Sequence, residues 1–318
     1  MFRKKILSIL KNILIIFCII FLASEVYKNL DFIKEKFFEN NKLFIIILLT
    51  HLIYLNLLNI RNYSILKICA KYSGKFFDWS QIFYESLFLN LIFSHTGSIY
   101  RAVELKRRGL EYKKYIALFY ILFASYILIN ILLVLIELSF IAELTLQFKI
   151  TLLLIFLFSL VIIIYSPKIL NFIIKNIHNV KKNHGTKIKK FFQSYNFIYS
   201  FLRDQSFSKK TILYLLIYGV IIHAFDLCIF YLSASIILVD VGFKTILVLF
   251  GLNFILERIP LIPNIPGLSE LLFASMTIPF GLYLYQGVIL KLLLRIITFI
   301  STIINYLIFY FLNKIEKT

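Results

Sequence analysis

The chain is short of several things that a soluble fold needs. Charge is the first: 16% of its 318 residues are Asp, Glu, Lys or Arg, against about 25% in soluble domains. Acids are scarcer still, with 16 Asp and Glu facing 35 Lys and Arg. The three cysteines, Cys18, Cys69 and Cys228, lie far apart and form no CxxC spacing. A disulfide framework or a Cys/His metal centre is therefore not expected. There is no paired-acid DxD, no HExxH, no GxSxG and no Gly-rich phosphate loop, so the usual intramembrane enzyme signatures are missing.

Apolar surface is present in excess. Hydrophobic residues make up 60% of the chain, including 34 Phe and 20 Tyr, and the mean hydropathy is +0.87. No water-soluble fold of this length has an interior large enough for that surface, so the bilayer is the solvent for most of it. This excludes a cytosolic enzyme, a secreted domain and a DNA-binding module. The formal charge of +19 reads as loop lysines that face anionic lipid and set orientation, not as a nucleic-acid footprint.

A membrane-crossing helix needs about 20 apolar residues. Six segments qualify: 6–24, 43–60, 115–138, 150–166, 211–239 and 287–312. The first follows Arg3, Lys4 and Lys5 and mimics a signal peptide. It has no A-x-A cleavage site and Lys11 interrupts it, so it reads as a retained span. Two further apolar stretches, 82–93 and 245–256, hold 12 residues each. Such a helix is about 18 Å long, well short of the roughly 30 Å core.

Charge asymmetry orients the spans. The segment 167–210 carries ten Lys and Arg against one Asp, which places it in the cytoplasm together with both termini. Its apolar residues recur at helical spacing, so it reads as a basic interfacial connector. If 82–93 crossed fully, the basic run Arg101–Lys114 would fall outside. The stretch 80–100 is therefore expected to dip in from the cytoplasm and return, and 245–280 to dip in from the outside.

The expected fold is an all-α, polytopic integral membrane protein with about six full spans and two re-entrant helical hairpins. It forms a single transmembrane domain over 1–318, with halves 1–140 and 141–318 related as an inverted repeat. The alternative is seven or eight ordinary spans without that symmetry.

Four of the five prolines lie in 259–280: Pro260, Pro263, Pro266 and Pro279. Proline removes a backbone donor and disfavours helix in the residue before it, so this segment cannot be one continuous helix. A helix can restart at Gly267 with Glu270 in its first turn, offering free N–H groups to an anion. Charges at membrane depth mark candidate sites, and Glu257, Arg258, Glu270, Lys291 and Arg295 cluster here. Lys291 and Arg295 share a helix face, and Arg295 is expected to pair with Glu270 or Glu257. Glu85, His95 and Arg101 are the counterparts at the first dip. His223 and Asp226, three residues apart in the span 211–239, form a candidate proton relay or helix–helix hydrogen bond.

Residues 94–109, Ser-His-Thr-Gly-Ser-Ile-Tyr-Arg-Ala-Val-Glu-Leu-Lys-Arg-Arg-Gly, resemble the first signature of the lysylphosphatidylglycerol-synthase transmembrane, or flippase-like, family. Pro263, Pro266, Gly267, Glu270 and Arg295 are similar to its second: a Pro-rich turn, Pro-Gly, a nearby Glu and an Arg in the following span. His95-Thr96, Ser98 and Leu268 depart from the usual Pro, acid and second Gly. The resemblance implies handling of anionic or polyprenyl-linked lipids. It also implies that the aminoacyl-transfer chemistry of fused relatives resides in a separate soluble domain, so no aminoacyl transfer is expected here.

These readings give a lipid flippase-like transporter of the cytoplasmic (inner) membrane, with Arg101, Arg258, Pro263, Pro266, Gly267, Glu270 and Arg295 as the substrate-binding set. Neither a catalytic residue, a metal nor a cofactor is expected. The partners are membrane lipids with anionic headgroups, and a homodimer mate or an envelope-biosynthesis protein. Alternatives are an intramembrane transferase, with His95 or the His223/Asp226 pair as acid–base groups, and a non-transporting accessory protein.

Overall fold

The computed structural model describes residues 20–92, 96–139, 150, 154, 209–238, 241–258 and 267–317. Among these, every regular element is a helix. In chain order they are α1 (Leu30–Glu39), α2 (Asn41–Ala70), α3 (Phe76–Ile92), α4 (Thr96–Arg107), α5 (Tyr112–Ser139), α6 (Lys209–Ile237), α7 (Phe243–Arg258), α8 (Leu268–Thr277) and α9 (Leu284–Lys317). A short 3-10 turn, Ile278–Phe280, follows α8.

Three of the helices carry stretches long and apolar enough to cross a bilayer: Asn41–Ala70, Leu213–Ile237 and Leu284–Glu316. They match the expected spans 43–60, 211–239 and 287–312. Helix α5 has 28 residues and no charge over 115–136, in line with the expected span 115–138. The expected spans 6–24, apart from its helical end at 20–24, and 150–166, apart from residues 150 and 154, lie outside the described residues, as does the connector 167–210 up to residue 208. Helix α2 runs ten residues past the expected end at Ile60. The reason is local: Arg61 is buried and its guanidinium lies over the Tyr126 ring at 5.4 Å, so a charge read as a loop marker is accommodated inside a continuing helix.

The two short apolar stretches are short helices. Helices α3 and α7 have 17 and 16 residues, about 25 Å each at 1.5 Å per residue. Both are longer than the expected 12 residues, and both still fall short of the roughly 30 Å hydrocarbon core. Helices α4 and α8 are the next described elements after them.

Helix α4 folds back on α3. The Gly97 N–H donates to Asn90 Oδ1 at 2.8 Å, and Thr96 Oγ1 donates to the Leu89 carbonyl at 2.9 Å. The first turn of α4, whose N–H groups have no partner within the helix, is thus capped by the end of α3. The backbones meet so closely that a Cβ built on Gly97 would lie 1.7 Å from the Ser86 carbonyl oxygen. Helix α8 packs against both α7 and α9, and Gly287 of α9 lies against Ala274 and Thr277 of α8. Small residues at such contacts let helices approach where lipid gives no hydrophobic drive.

By packing, the described residues fall into two compact units. One draws on Met1–Asn56, Tyr84–Gly97 and Ala224–Thr318, and the other on Leu57–Phe83 and Ser98–His223. In the first, α2 and α9 share a polar seam. Asn56 Nδ2 donates to Asn305 Oδ1 at 2.8 Å, Tyr84 donates to Asn56 at 3.0 Å, and Thr298 Oγ1 lies 3.2 Å from His51 Nε2. In the second, Asn59 donates to Ser80 at 2.8 Å beneath the Trp79 indole, whose N–H points to the Asn59 carbonyl.

Gly97→Ala is expected to lower stability by about 1–3 kcal/mol, because the new methyl would meet rigid backbone. Gly242→Ala, where a Cβ meets nothing within 4 Å, should leave it unchanged. Thermal unfolding of the two purified variants in detergent checks the contrast.

Candidate functional site

Helix α8 begins where the proline-rich segment ends. Gly267 takes φ 96°, a conformation closed to ordinary side chains, and turns the chain into the helix. Glu270 then sits at the third helical position. Its Oε2 accepts the Gly267 N–H at 2.8 Å and the Ser269 hydroxyl at 2.9 Å, so the carboxylate reaches back to cap its own helix. Its other oxygen, Oε1, accepts from Arg295 Nη1 of α9 at 2.5 Å. The Glu270 side chain is 1% exposed and that of Arg295 26%. The acid is sealed in protein while its partner keeps an open edge.

That edge faces a cavity of about 230 Å³ lined by Leu91, Arg295, Ile296 and Phe299. Leu91 comes from the tip of α3, and Phe88 one turn earlier has its ring 5.9 Å from that of Phe299. The end of the first short helix and the base of the ion pair thus line one space within a single compact unit.

One turn before Arg295, Lys291 is buried. Its Nζ donates to Asn253 Oδ1 of α7 at 2.5 Å and lies 5.9 Å from the centre of the Phe273 ring of α8. Lys291 and Arg295 therefore stand on one face, as their spacing requires. Arg295 turns to the cavity and Lys291 ties α7, α8 and α9 together. Asn253 had no sequence signal beyond being an amide in an apolar helix.

Of the expected binding set, Gly267, Glu270 and Arg295 come together, and the partner of Arg295 is Glu270. Pro263, Pro266 and His95, and the side chains of Glu257 and Arg258, lie outside the described residues. Arg101 belongs to the other compact unit. It is buried, with its guanidinium 5.0 Å from the Phe83 ring centre and 5.6 Å from that of Trp79, and Tyr115 lies beside it. A cation held by ring faces in a dry setting is strongly stabilised. Glu85 stands beside Tyr306 of α9.

His223 has partners on α5 that the sequence did not point to. His223 Nε2 lies 2.7 Å from Glu137 Oε1, and its Nδ1 lies 2.6 Å from Asn130 Oδ1. Both ring nitrogens are engaged by α5, so the acid joined to His223 is Glu137, where the sequence pointed to Asp226. Glu137 closes an apolar run and reads there as a span end. Among the described residues, no group of three or more His, Cys, Asp or Glu is placed to hold a metal ion.

Residues 9–304 match the family described as Lysylphosphatidylglycerol synthase TM region. The chain belongs to this family. The family is a membrane domain tied to lipid and envelope biosynthesis or transport, and with its own apolar helices this chain is a multi-pass membrane protein. Neither a curated protein nor a solved structure matches it.

Removing one partner of a buried ion pair leaves the other uncompensated and costs about 3–5 kcal/mol. Arg295→Ala and Glu270→Ala should each be destabilising on that scale. The double variant should fall well short of the sum, since the second change removes a charge the first had stranded. Denaturant unfolding of the four proteins in detergent gives the coupling.

Proposed function

We propose that this chain is a lipid flippase-like transporter that moves an anionic or polyprenyl-linked lipid between leaflets. The observation that carries the proposal is the Glu270–Arg295 pair at the N-terminus of α8. A helix N-terminus and a guanidinium together make an anion site, and here a carboxylate of the protein itself occupies it. A lipid phosphate entering the cavity would meet the open edge of Arg295. Arginine suits that exchange because its planar fork takes two phosphate oxygens at once. Glu270 would keep the site neutral when no lipid is bound.

The two short-helix pairs, α3 with α4 and α7 with α8, fit re-entrant hairpins entering from opposite leaflets. Backbone breaks at membrane depth survive when they are buried in protein or line a wet cavity. Transporters built as inverted repeats place such broken helices at the substrate site. In this arrangement the chain lies in the cytoplasmic membrane with both termini inside. Its ligands are anionic lipid headgroups, and a second copy or an envelope-biosynthesis protein is its neighbour. The chain moves lipid without transferring a group, so it is not an enzyme.

The full chain in phosphatidylcholine liposomes, supplied with labelled phosphatidylglycerol or a labelled polyprenyl phosphate, should exchange one of them between leaflets. Arg295→Lys keeps the charge but loses the fork. It is expected to slow exchange about tenfold, roughly 1.4 kcal/mol of lost interaction, and Glu270→Gln should also slow it. Equal rates in wild type and Arg295→Lys would remove this site from the path.

A further inference from the structure

We infer that His223, Asn130 and Glu137 form an intramembrane proton-binding site, and that the proton it holds drives the exchange proposed above. The second half of this statement rests on the transport reading; the first does not.

The inference follows from hydrogen-bond chemistry at three atoms. The Asn130 side chain donates from Nδ2 to the Tyr126 carbonyl at 2.7 Å. A carbonyl oxygen only accepts, so the amide is oriented with Nδ2 toward α5 backbone and Oδ1 toward His223. Asn130 Oδ1 also only accepts. His223 Nδ1, 2.6 Å away, must therefore carry a hydrogen and donate it. A neutral imidazole with Nδ1–H has a bare lone pair at Nε2. Yet Nε2 stands 2.7 Å from Glu137 Oε1, and a carboxylate oxygen is also a lone pair. Two acceptors do not rest at that distance. One proton must lie between them, either as imidazolium facing carboxylate or as imidazole facing a carboxylic acid.

The setting makes this proton an exchangeable one. His223 is 3% exposed near the middle of the candidate span Leu213–Ile237. With the proton bound, the pair is neutral overall; without it, the pair carries one negative charge in a low-dielectric interior, where isolated charge is costly. Among the described residues, two charged groups stand near. Arg61 of α2 lies over the Tyr126 ring, one turn before Asn130, and Asp226 follows His223 by one turn on α6. Among the described residues, the buried Glu137 Oε2 has no hydrogen-bond partner, so the same carboxyl carries a second oxygen that can accept a proton.

In one cycle a proton from water on one side binds between Oε1 and Nε2. The pair becomes neutral and the protein changes access. The proton then leaves to water on the other side, restoring the negative pair. No bond other than these O–H and N–H bonds forms or breaks.

Two measurements on the full chain in phosphatidylcholine liposomes test the inference. Infrared difference spectra between acid and alkaline buffer should show a protonated carboxyl band, or an imidazolium band paired with carboxylate, that shifts in heavy water. It should vanish in Glu137→Gln, whose amide can donate to Nε2 without titrating. Wild-type exchange of labelled phosphatidylglycerol or polyprenyl phosphate should change about tenfold under an imposed pH gradient, and the ratio of exchange with and without the gradient should fall to one in Glu137→Gln, whatever its absolute rate. The absence of any Glu137-dependent band in wild type overturns the proton site. A Glu137-dependent band together with gradient-blind exchange overturns the coupling. If wild type exchanges no lipid at all, the transport reading and the coupling fall together, and the spectrum alone decides the site.

Discussion

A carboxylate can stay ionised inside a hydrocarbon layer only if its oxygens are met by donors it cannot easily lose. Glu270 satisfies this with both oxygens. One takes the backbone and hydroxyl donors at the start of α8, and the other takes Arg295 of α9. The same residue therefore caps the start of a helix and fastens that helix to its neighbour. The close contact of Gly287 with Ala274 and Thr277 follows from that fastening, as does the position of Lys291 one turn away, where it reaches Asn253. Were Glu270 a neutral residue, the α8 N-terminus would need another acceptor and Arg295 another anion.

Much of this was legible in the sequence, for a simple reason. Hydrocarbon imposes a length on spans and a penalty on charge, and both leave marks that do not depend on neighbours. The three observed candidate spans coincide with apolar runs, and helices α3 and α7 contain the two shorter runs, 82–92 and 245–256. Glu270 and Arg295 stood out because charged residues in apolar surroundings have few places to go. Proline and glycine marked where α8 restarts, within Gly267–Ser269.

What was not legible depends on which helix faces which. Helices α5 and α6 are apolar all round, so no periodicity gives them an inner face. His223 was therefore paired with the nearest acid on its own helix, Asp226, while its contact is Glu137 on α5. Neutral amides carry even less signal. Asn130, Asn253, Asn56 and Asn305 look alike in sequence, and only packing assigns each its partner. Arg61 shows the converse, since a charge that ordinarily ends a span continued the helix because an aromatic ring from α5 received it.

The burial of Arg101 against Trp79 and Phe83 also has a practical side. Trp79 is the one tryptophan in the chain, fully enclosed, with a guanidinium above its ring. Indole emission from this protein, excited beyond the tyrosine absorption, thus has a single source. Any event that hydrates the indole or displaces the cation would alter the colour and intensity of that light, without a label being attached.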